Sequence, residues 1–240
     1  MADPIPLIGG TGALGYGLAL RWARAGQAIV IGSREPSRAE EAAERVRGEV
    51  EGAAVEGLQN AEAASRGPIV FLTVPFRAQS ETLTNLKDAL SEDDARAREA
   101  EPSATRKILV DCTVPTAAAV SGKAARTLGV WQGSAAQQAE EMVPDGVTVI
   151  SALHTVSATR LADGGPLDED ILICGDRKAD KARVARLIEQ IEGLRTVNAG
   201  ALEMARIIET LTPLLISINV RYKAAAGIRI TDLPEGDPWA

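Results

Sequence analysis

The chain has 240 residues, which is enough to bury one large core or a main core with a small appendage. Aromatic residues make up only 3% and the formal net charge is −7, so the composition argues against a surface that stacks bases or neutralises a phosphate backbone, and nucleic acid is excluded as an expected partner. No secretory leader and no apolar run of about 18 residues is found, so we expect a cytoplasmic protein that does not enter a membrane.

The first 151 residues alternate short apolar runs with amphipathic runs, which is the pattern of a parallel sheet with crossover helices. The apolar runs are nearly continuous, which indicates strands buried on both faces. We therefore predict a Rossmann-type, doubly wound α/β domain over 1–151. The predicted strands are 5–9, 28–32, 53–58, 69–74, 108–113 and 147–151. The predicted helices are 13–25, 37–50, 59–65, 77–90 and 134–142.

Two segments depart from this regular pattern. Pro6 lies in the first strand, which the topology places at the centre of the sheet, and proline removes a ladder hydrogen bond there. We expect this strand either to be irregular at its start or to pair only from Leu7. Residues 91–107 are charged and poor in apolar side chains, so we interpret them as a solvated loop or a helix extension.

A glycine-rich turn, LIGGTGALGYG at 7–17, lies between the first strand and the first helix and contains the pattern G-x-G-x-x-G. In a dinucleotide fold, Gly10 permits the tight turn, Gly12 lets the backbone approach a pyrophosphate, and Gly15 lets the helix pack closely on the strand. The N–H groups at the start of the helix then face the anion. The alternative is a turn whose glycines serve only positive φ angles.

The end of the second strand predicts which dinucleotide binds. An Asp or Glu at this place would bond the ribose 2′-hydroxyl of NAD, whereas this chain reads Ser33, Arg34, Glu35, Pro36, Ser37, Arg38. Guanidinium groups suit phosphate oxygens, so the sequence favours the 2′-phosphate of NADP(H). Two alternatives stay open: the arginines are solvated charges at a helix start, or Glu35 replaces the missing acid.

The next two strand ends both read T-V-P, at 73–75 and 113–115. Ligands of open α/β sheets bind outside the carboxyl ends of the strands, so Val74, Pro75 and Val114 are expected at the cofactor. Proline turns the chain there and leaves the valine backbone free for a ribose or nicotinamide. The alternative is that each proline only stops its strand.

After residue 151 the pattern changes to a smaller C-terminal α/β segment, predicted as a second domain over 152–240. A loop leads to a strand at 171–174, a helix at 179–191, a strand at 195–198 and a long helix at 201–225. This last helix is apolar around most of its circumference, so it must be covered by the domain or by a second subunit, and we expect a homodimer.

Metal chemistry is not expected from this sequence. It contains one histidine, and its two cysteines, Cys112 and Cys174, lie far apart in strand-like runs without metal-ligand spacing. We interpret both cysteines as small buried apolar residues.

Several motifs together resemble those of the coenzyme F420-dependent NADP oxidoreductases, the NADPH-dependent F420 reductases. They are GGTGALGYGLAL, IVIGSR, IVFLTVPF, SALHTVSA, ILICGD, IEGLRTVNAG and ARIIETLTPLLISIN, and they span most of the chain. The resemblance implies two cofactors, NADP(H) and coenzyme F420, and reversible hydride transfer between C4 of the nicotinamide and C5 of the deazaflavin.

The resemblance also implies the site residues. Those placed on the NADP pyrophosphate are Thr11, Gly12, Ala13 and Leu14, and those on the 2′-phosphate are Ser33, Arg34 and Arg38. Val74 and Val114 would lie along the nicotinamide half, and Ala158 would approach it from the second domain.

His154 would lie over the cofactors and hydrogen-bond the deazaflavin or carry a proton, with a bond to a neighbouring backbone carbonyl as the alternative. F420 carries a phosphate and a glutamate tail, for which the basic candidates are Arg160, Arg206, Arg221 and Lys223.

Two other functions compete with this one. The first is an NADP-dependent imine or ketone reductase of the pyrroline-carboxylate-reductase type, which shares the N-terminal domain but needs a proton donor aimed at its substrate. The second is a non-catalytic NADP-sensing protein, which needs no open cleft over the nicotinamide.

Overall fold

Six parallel strands form the main sheet of the computed structural model, which describes residues 3–100, 106–120, 122–234, 236 and 238–239, with the backbone alone for 92–100. Their order is β3-β2-β1-β4-β5-β6. The strands are β1 Ile5–Ile8, β2 Ile29–Ser33, β3 Val55–Gln59, β4 Ile69–Leu72, β5 Ile108–Asp111 and β6 Thr148–Ser151. Each lies within two residues of its predicted bounds, and the order reverses at β1, so the Rossmann-type fold class is confirmed.

Crossover helices cover both faces of this sheet. They are α1 Ala13–Arg24, α2 Pro36–Glu49, α3 Asn60–Ala64, α4 Phe76–Ala100 and α5 Ala135–Met142. The side chain of Gln59 accepts the N–H of Ala61 before α3, and Ser134 accepts the N–H of Gln137 before α5, so both helices begin at a capped turn. The charged segment extends α4 to Ala100, as one of its two interpretations predicts, and residues 101–105 lie outside the described part of the chain.

Apolar side chains alternate between the two faces of the central strands and form two buried clusters. Leu7 and Phe71 belong to the cluster on the side of α1 and α2, where the rings of Trp22 and Phe71 lie 4.7 Å apart between centroids. Ile8 and Leu72 belong to the cluster under α3 and α4. Because both faces are covered, these strands read as continuous apolar runs in the sequence.

Pro6 has no N–H to donate, and the side of β1 that this N–H would face explains why the sheet tolerates the proline. The expectation that β1 is irregular or unpaired before Leu7 is wrong on the β2 side, where pairing begins at Ile5 opposite Ile29. The N–H of Ile5 faces β2, since it donates to the carbonyl of Ala28, so position 6 faces β4. The absent N–H of Pro6 therefore lies on the β4 side, where pairing does begin only at Leu7.

The C-terminal part forms a second, two-stranded parallel sheet. Its elements are α6 Ala158–Asp163, β7 Glu169–Ile173, α7 Lys178–Ile188, β8 Leu194–Asn198, α8 Ala205–Ile208 and α9 Leu211–Tyr222. Ser151 and Cys174 exchange backbone hydrogen bonds, which joins the end of β6 to β7. Ile150 and Ile173 belong to the same buried cluster. The boundary between residues 151 and 152 stays a prediction.

The predicted loop before β7 is wrong for residues 158–163, which form α6. Ser157 accepts the N–H of Arg160 at its start, and Gly164, at φ +74°, ends it. The guanidinium of Arg21 in α1 donates to the carbonyls of Leu161 and Gly165 at 2.8 and 2.7 Å, which fixes this helix against the Rossmann core.

The single long helix predicted at 201–225 is also wrong. A 3-10 turn at Leu202–Met204 and α8 are followed by a break at 209–210, after which α9 begins. Pro213 explains the break, because a proline cannot donate to the carbonyl four residues earlier, at Glu209, and its ring clashes with that group. In the described part of the chain, no helix combines the length and the apolar character that a membrane crossing requires.

Candidate functional site

The carboxyl ends of β1, β2, β4 and β5 border two cavities that share a wall formed by Gly12, Thr73, Val74 and Pro75. The first, of about 160 Å³, is called the β2-side cavity; it is lined also by Gly9, Thr11, Ser33, Arg34, Glu35, Arg38 and Asn60. The second, of about 470 Å³, is called the β5-side cavity; it is lined also by Ala13, Leu14, Phe76, Arg77, Cys112, Thr113 and Val114. Together they form one cleft at the point where the strand order reverses, the usual ligand site of such sheets.

The three motif glycines divide into two kinds by what a side chain would meet. A Cβ at Gly10 would lie 2.8 Å from the carbonyl oxygen of Leu7, and a Cβ at Gly15 would lie 2.6 Å from both Gly10 Cα and Thr73 Oγ1. At Gly12 the nearest atom would be 3.4 Å away. Gly10 and Gly15 therefore permit close packing behind the cleft, while Gly12 leaves space at its edge.

None of the three motif glycines has a positive φ angle. The alternative that these glycines serve only positive φ angles in the turn is therefore wrong. Gly9, which precedes the motif, has φ +74°, and a Cβ there would meet Val74 Cγ1 at 2.5 Å. Asn60 Oδ1 accepts the N–H of Gly9 at 3.4 Å. Sequence reasoning missed Gly9 and Asn60, although Asn60 directly follows β3, and the strand-end rule would have found it.

The end of β2 brings one hydroxyl and two guanidinium groups to the β2-side cavity, as predicted. Ser33 is buried, and its Oγ accepts the N–H of Glu35 at 3.3 Å. Arg38 lies 3.9 Å from Glu35, and both side chains are about two-thirds exposed, so this ion pair is weak. The side chain of Arg34 forms no hydrogen bond or ion pair with any described residue.

A buried polar cluster holds the wall of the β5-side cavity. Asp111 Oδ1 accepts from the N–H and the hydroxyl of Thr113 at 2.7 and 2.8 Å, and Gln79 Nε2 donates to Asp111 Oδ2. Burial raises the pKa of Asp111 to about 6, although these hydrogen bonds favour its charged form. The cluster fixes Thr113 and Val114 against the cavity, and sequence reasoning did not find it because Gln79 lies 32 residues away.

A second buried carboxylate ties the C-terminal part to the same wall. Glu209 accepts the N–H groups of Ala135 and Ala136 at 2.9 and 3.1 Å, at the start of α5. Burial raises the pKa of Glu209 to about 8, and the charge of Asp111 acts in the same direction. Gln79 donates to the carbonyl of Ala135, so the two clusters are connected.

His154 and Ala158 do not line either cavity among the described residues. His154 is buried, both of its ring nitrogens lack a described partner, and burial lowers its pKa to about 4, so the imidazole is neutral. It follows Leu153, whose φ of 67° is left-handed. The ring does not form the backbone bond that was its structural alternative. Ala158 begins α6, which packs against α1 at Gly17.

None of the four basic side chains proposed for the F420 anions lines the β2-side or the β5-side cavity. Arg160 donates to the carbonyl of Pro166. The other three, Arg206, Arg221 and Lys223, are exposed on α8 and at the end of α9. Both cysteines are buried and unbridged as predicted, and burial raises the pKa of the Cys112 thiol well above its usual value.

Comparison with known proteins gives concordant matches. The family model described as NADP oxidoreductase, coenzyme F420-dependent, matches residues 4–115. The F420-dependent NADP reductase of Methanothermobacter thermautotrophicus is 41% identical over 98% of this chain and 97% of its own length. A crystal structure from Arthrobacter sp. FB24, described as a candidate F420-dependent NADP-reductase, superposes with a TM-score of 0.77 at 23% identity, covering 96% of this chain and all of that one.

A more distant match bears on one competing function. The pyrroline-5-carboxylate reductase of Coxiella burnetii superposes with a TM-score of 0.58 at 14% identity, covering 92% of this chain and 69% of that one. At this identity the likeness shows the fold alone.

The two kinds of motif glycine predict two different mutant phenotypes. Gly12→Ala should leave the free energy of unfolding within about 0.5 kcal/mol, because its φ of −75° suits alanine, yet weaken NADPH binding at least about tenfold, because the methyl occupies the edge that a phosphate approaches. Gly15→Ala should destabilise the protein by about 1–3 kcal/mol through overpacking. Urea unfolding and NADPH titration measure the two effects. An unchanged NADPH affinity in Gly12→Ala would contradict the assignment.

Proposed function

Because the chain belongs to the F420-dependent NADP reductase family, we propose that it transfers a hydride, reversibly, between C4 of the NADP nicotinamide and C5 of the F420 deazaflavin. The observation that supports this most directly is the cleft, in which a site suited to a dinucleotide phosphate opens into a larger, mainly apolar cavity at β5. A reaction between two flat cofactors requires such a second space beside the first.

The cleft fits NADP by its backbone and its charges. The N–H groups of Thr11, Ala13 and Leu14 have no acceptor among the described residues, and they lie at the start of α1, where the helix dipole favours an anion. The open edge at Gly12 lets a pyrophosphate approach these donors. In the β2-side cavity, Arg34, Arg38 and the hydroxyl of Ser33 bind the 2′-phosphate.

The chain contributes to catalysis by positioning. NADPH supplies the hydride and the deazaflavin accepts it, or the reverse, at a distance of about 3–3.5 Å between the reacting carbons. Val74 and Val114 both line the β5-side cavity, and the hydrogen bonds of Asp111 to Thr113 and Gln79 fix the turn that leads to Val114. Apolar walls exclude water from the transfer.

The role of His154 at the deazaflavin stays a prediction, because its ring lines neither cavity of the cleft. Its two unpaired ring nitrogens are buried, and a buried polar group without a partner is costly unless a ligand supplies one. Burial lowers the pKa of His154 to about 4, so the imidazole is neutral and keeps one N–H donor and one acceptor for any ligand group that reaches it. The approach of Ala158 to the nicotinamide also stays a prediction, because Ala158 lines neither cavity. The cytoplasmic location expected from the sequence stays a prediction.

The competing functions require features that the described cleft does not favour. An imine or ketone reductase needs a proton donor beside its substrate, and the described residues that line the β5-side cavity include no carboxylate and no histidine. A non-catalytic NADP sensor needs no open cavity beyond the dinucleotide, whereas the larger cavity here lies on the nicotinamide side.

The reaction is tested by mixing purified protein with NADPH and oxidised F420 and following the visible absorbance of the deazaflavin. We expect this absorbance to disappear with one NADPH consumed per F420, and to return when reduced F420 is given excess NADP⁺. Pyrroline-carboxylate with NADPH serves as the control substrate and should give no turnover. If NADPH binds but the deazaflavin absorbance stays constant, the proposed function is wrong.

The cofactor preference is tested by Arg34→Ala. Loss of one guanidinium–phosphate contact, worth about 1.5–3 kcal/mol, should reduce the preference for NADPH over NADH at least about tenfold by weakening NADPH alone. Arg186→Ala, an exposed arginine on α7, is the matched control. An unchanged ratio of dissociation constants overturns the assignment, and a loss of NADH binding in Glu35→Ala would instead favour Glu35 as a ribose ligand.

A homodimer through α9 completes the proposal. Leu214 and Tyr222 are 54% and 77% exposed, and with Ile218 they follow the spacing i, i+4, i+8, so they form one apolar stripe on a surface helix. A second copy of the chain would cover this stripe. Light scattering should give twice 25.2 kDa, and the double variant Leu214→Lys, Tyr222→Lys should give 25.2 kDa. A wild-type mass of 25.2 kDa at micromolar concentration would contradict the dimer.

A further inference from the structure

Arg77 is a cation that lines the β5-side cavity and has no side-chain partner among the described residues. It follows the V-P-F sequence at the start of α4, is exposed, and forms no hydrogen bond or ion pair with any described residue. Resting on the proposed function, we infer that Arg77 binds the phosphate of the F420 side chain and so selects the complete cofactor over its deazaflavin ring alone.

The neutral walls of the cavity and the negative net charge of the chain both favour a local cation for a bound phosphate. The chain carries a formal net charge of −7, and the other described residues that line the β5-side cavity are neutral, the thiol of Cys112 included. A phosphate brought next to these walls loses water, and that loss must be offset by a charged donor. A guanidinium offers two parallel N–H groups to phosphate oxygens and keeps its charge at all working pH values.

The position of Arg77 in its helix is unfavourable without an anion. It lies in the first turn of α4, where the helix dipole disfavours a positive side chain by about 0.3–1 kcal/mol. By contrast, Arg21 and Arg24 lie in the last turn of α1, where the dipole favours them. A bound phosphate reverses the sign of this interaction for Arg77.

In the proposed function, residues other than Arg77 bind the phosphate groups of NADP. In that proposal the 2′-phosphate binds at Arg34 and Arg38, which line the β2-side cavity, and the pyrophosphate binds at the turn of Gly12 on the shared wall. Arg77 lines only the β5-side cavity. The basic residues first considered for F420 do not reach this cavity, so Arg77 takes the role predicted for them.

The test measures equilibrium binding without turnover. Wild-type protein and Arg77→Ala are titrated with oxidised F420 and with its precursor, the deazaflavin ring with a ribityl chain but no phosphate or glutamate tail, following deazaflavin fluorescence. We expect Arg77→Ala to lose at least about tenfold in affinity for F420 and less than about twofold for the precursor. Arg77→Lys should recover part of the loss, and the salt dependence of F420 binding should be smaller in Arg77→Ala.

Two controls distinguish phosphate binding by Arg77 from an effect of the substitution on folding or on NADPH binding. NADPH affinity should be unchanged in Arg77→Ala, which also reports an intact Rossmann core, and Arg186→Ala should bind F420 as the wild type does. Equal losses for F420 and the precursor, or a loss of NADPH affinity, would overturn the role of Arg77. If the wild-type protein binds NADPH but neither F420 nor its precursor, both the proposed function and this inference are wrong. If the wild-type protein reduces F420 and Arg77→Ala binds F420 with unchanged affinity, only the inference is wrong.

Discussion

The close approach between the first turn of α1 and the ends of β1 and β4 is the constraint on which the site depends. Gly15 lies against Gly10 and Thr73 with no room for a Cβ, and Thr73 Oγ1 donates to the carbonyl of Ile8 at 2.9 Å. This contact joins the two central strands to the helix whose N–H groups face the cleft. The wall shared by the two cavities therefore has a fixed backbone, which positions a dinucleotide more accurately than side chains alone.

The opposite side of the cleft is held by buried polar groups rather than by glycine packing. Asp111 fixes the turn at Thr113, Gln79 connects that turn to the carbonyl of Ala135, and Glu209 caps the start of α5. Buried carboxyl groups are costly unless hydrogen-bonded, so each bond in this network offsets desolvation that raises the pKa of both acids. The network also connects the break at 209–210, between α8 and α9, to the wall of the β5-side cavity.

The sequence predicted the Rossmann strands and the dinucleotide side of the site, because glycine spacing and strand ends are local signals. Gly12, Ser33 and Arg34 reach the cleft for that reason. The parts that were missed depend on pairings distant in the chain, as with Gln79 and Asp111, or on a local signal that was overlooked. Pro213, which divides the last helix, and the Ser157 cap that begins α6 are of the second kind. No sequence pattern distinguishes Arg77 from other surface arginines, because its place at the β5-side cavity depends on the fold.

The chemistry of the cleft follows from which groups are absent among its described lining residues as much as from those present. The described residues that line the β5-side cavity include no carboxylate, and burial raises the pKa of the Cys112 thiol well above its usual value, so none of these lining side chains is an acid that titrates near neutral pH. Such a site is poorly suited to protonating a substrate and well suited to a transfer in which a hydride passes directly between two carbons. Burial lowers the pKa of His154 to about 4, and a neutral imidazole fits the same kind of chemistry, a hydride transfer favoured by alignment of the two cofactors and exclusion of water rather than by proton transfer from the protein.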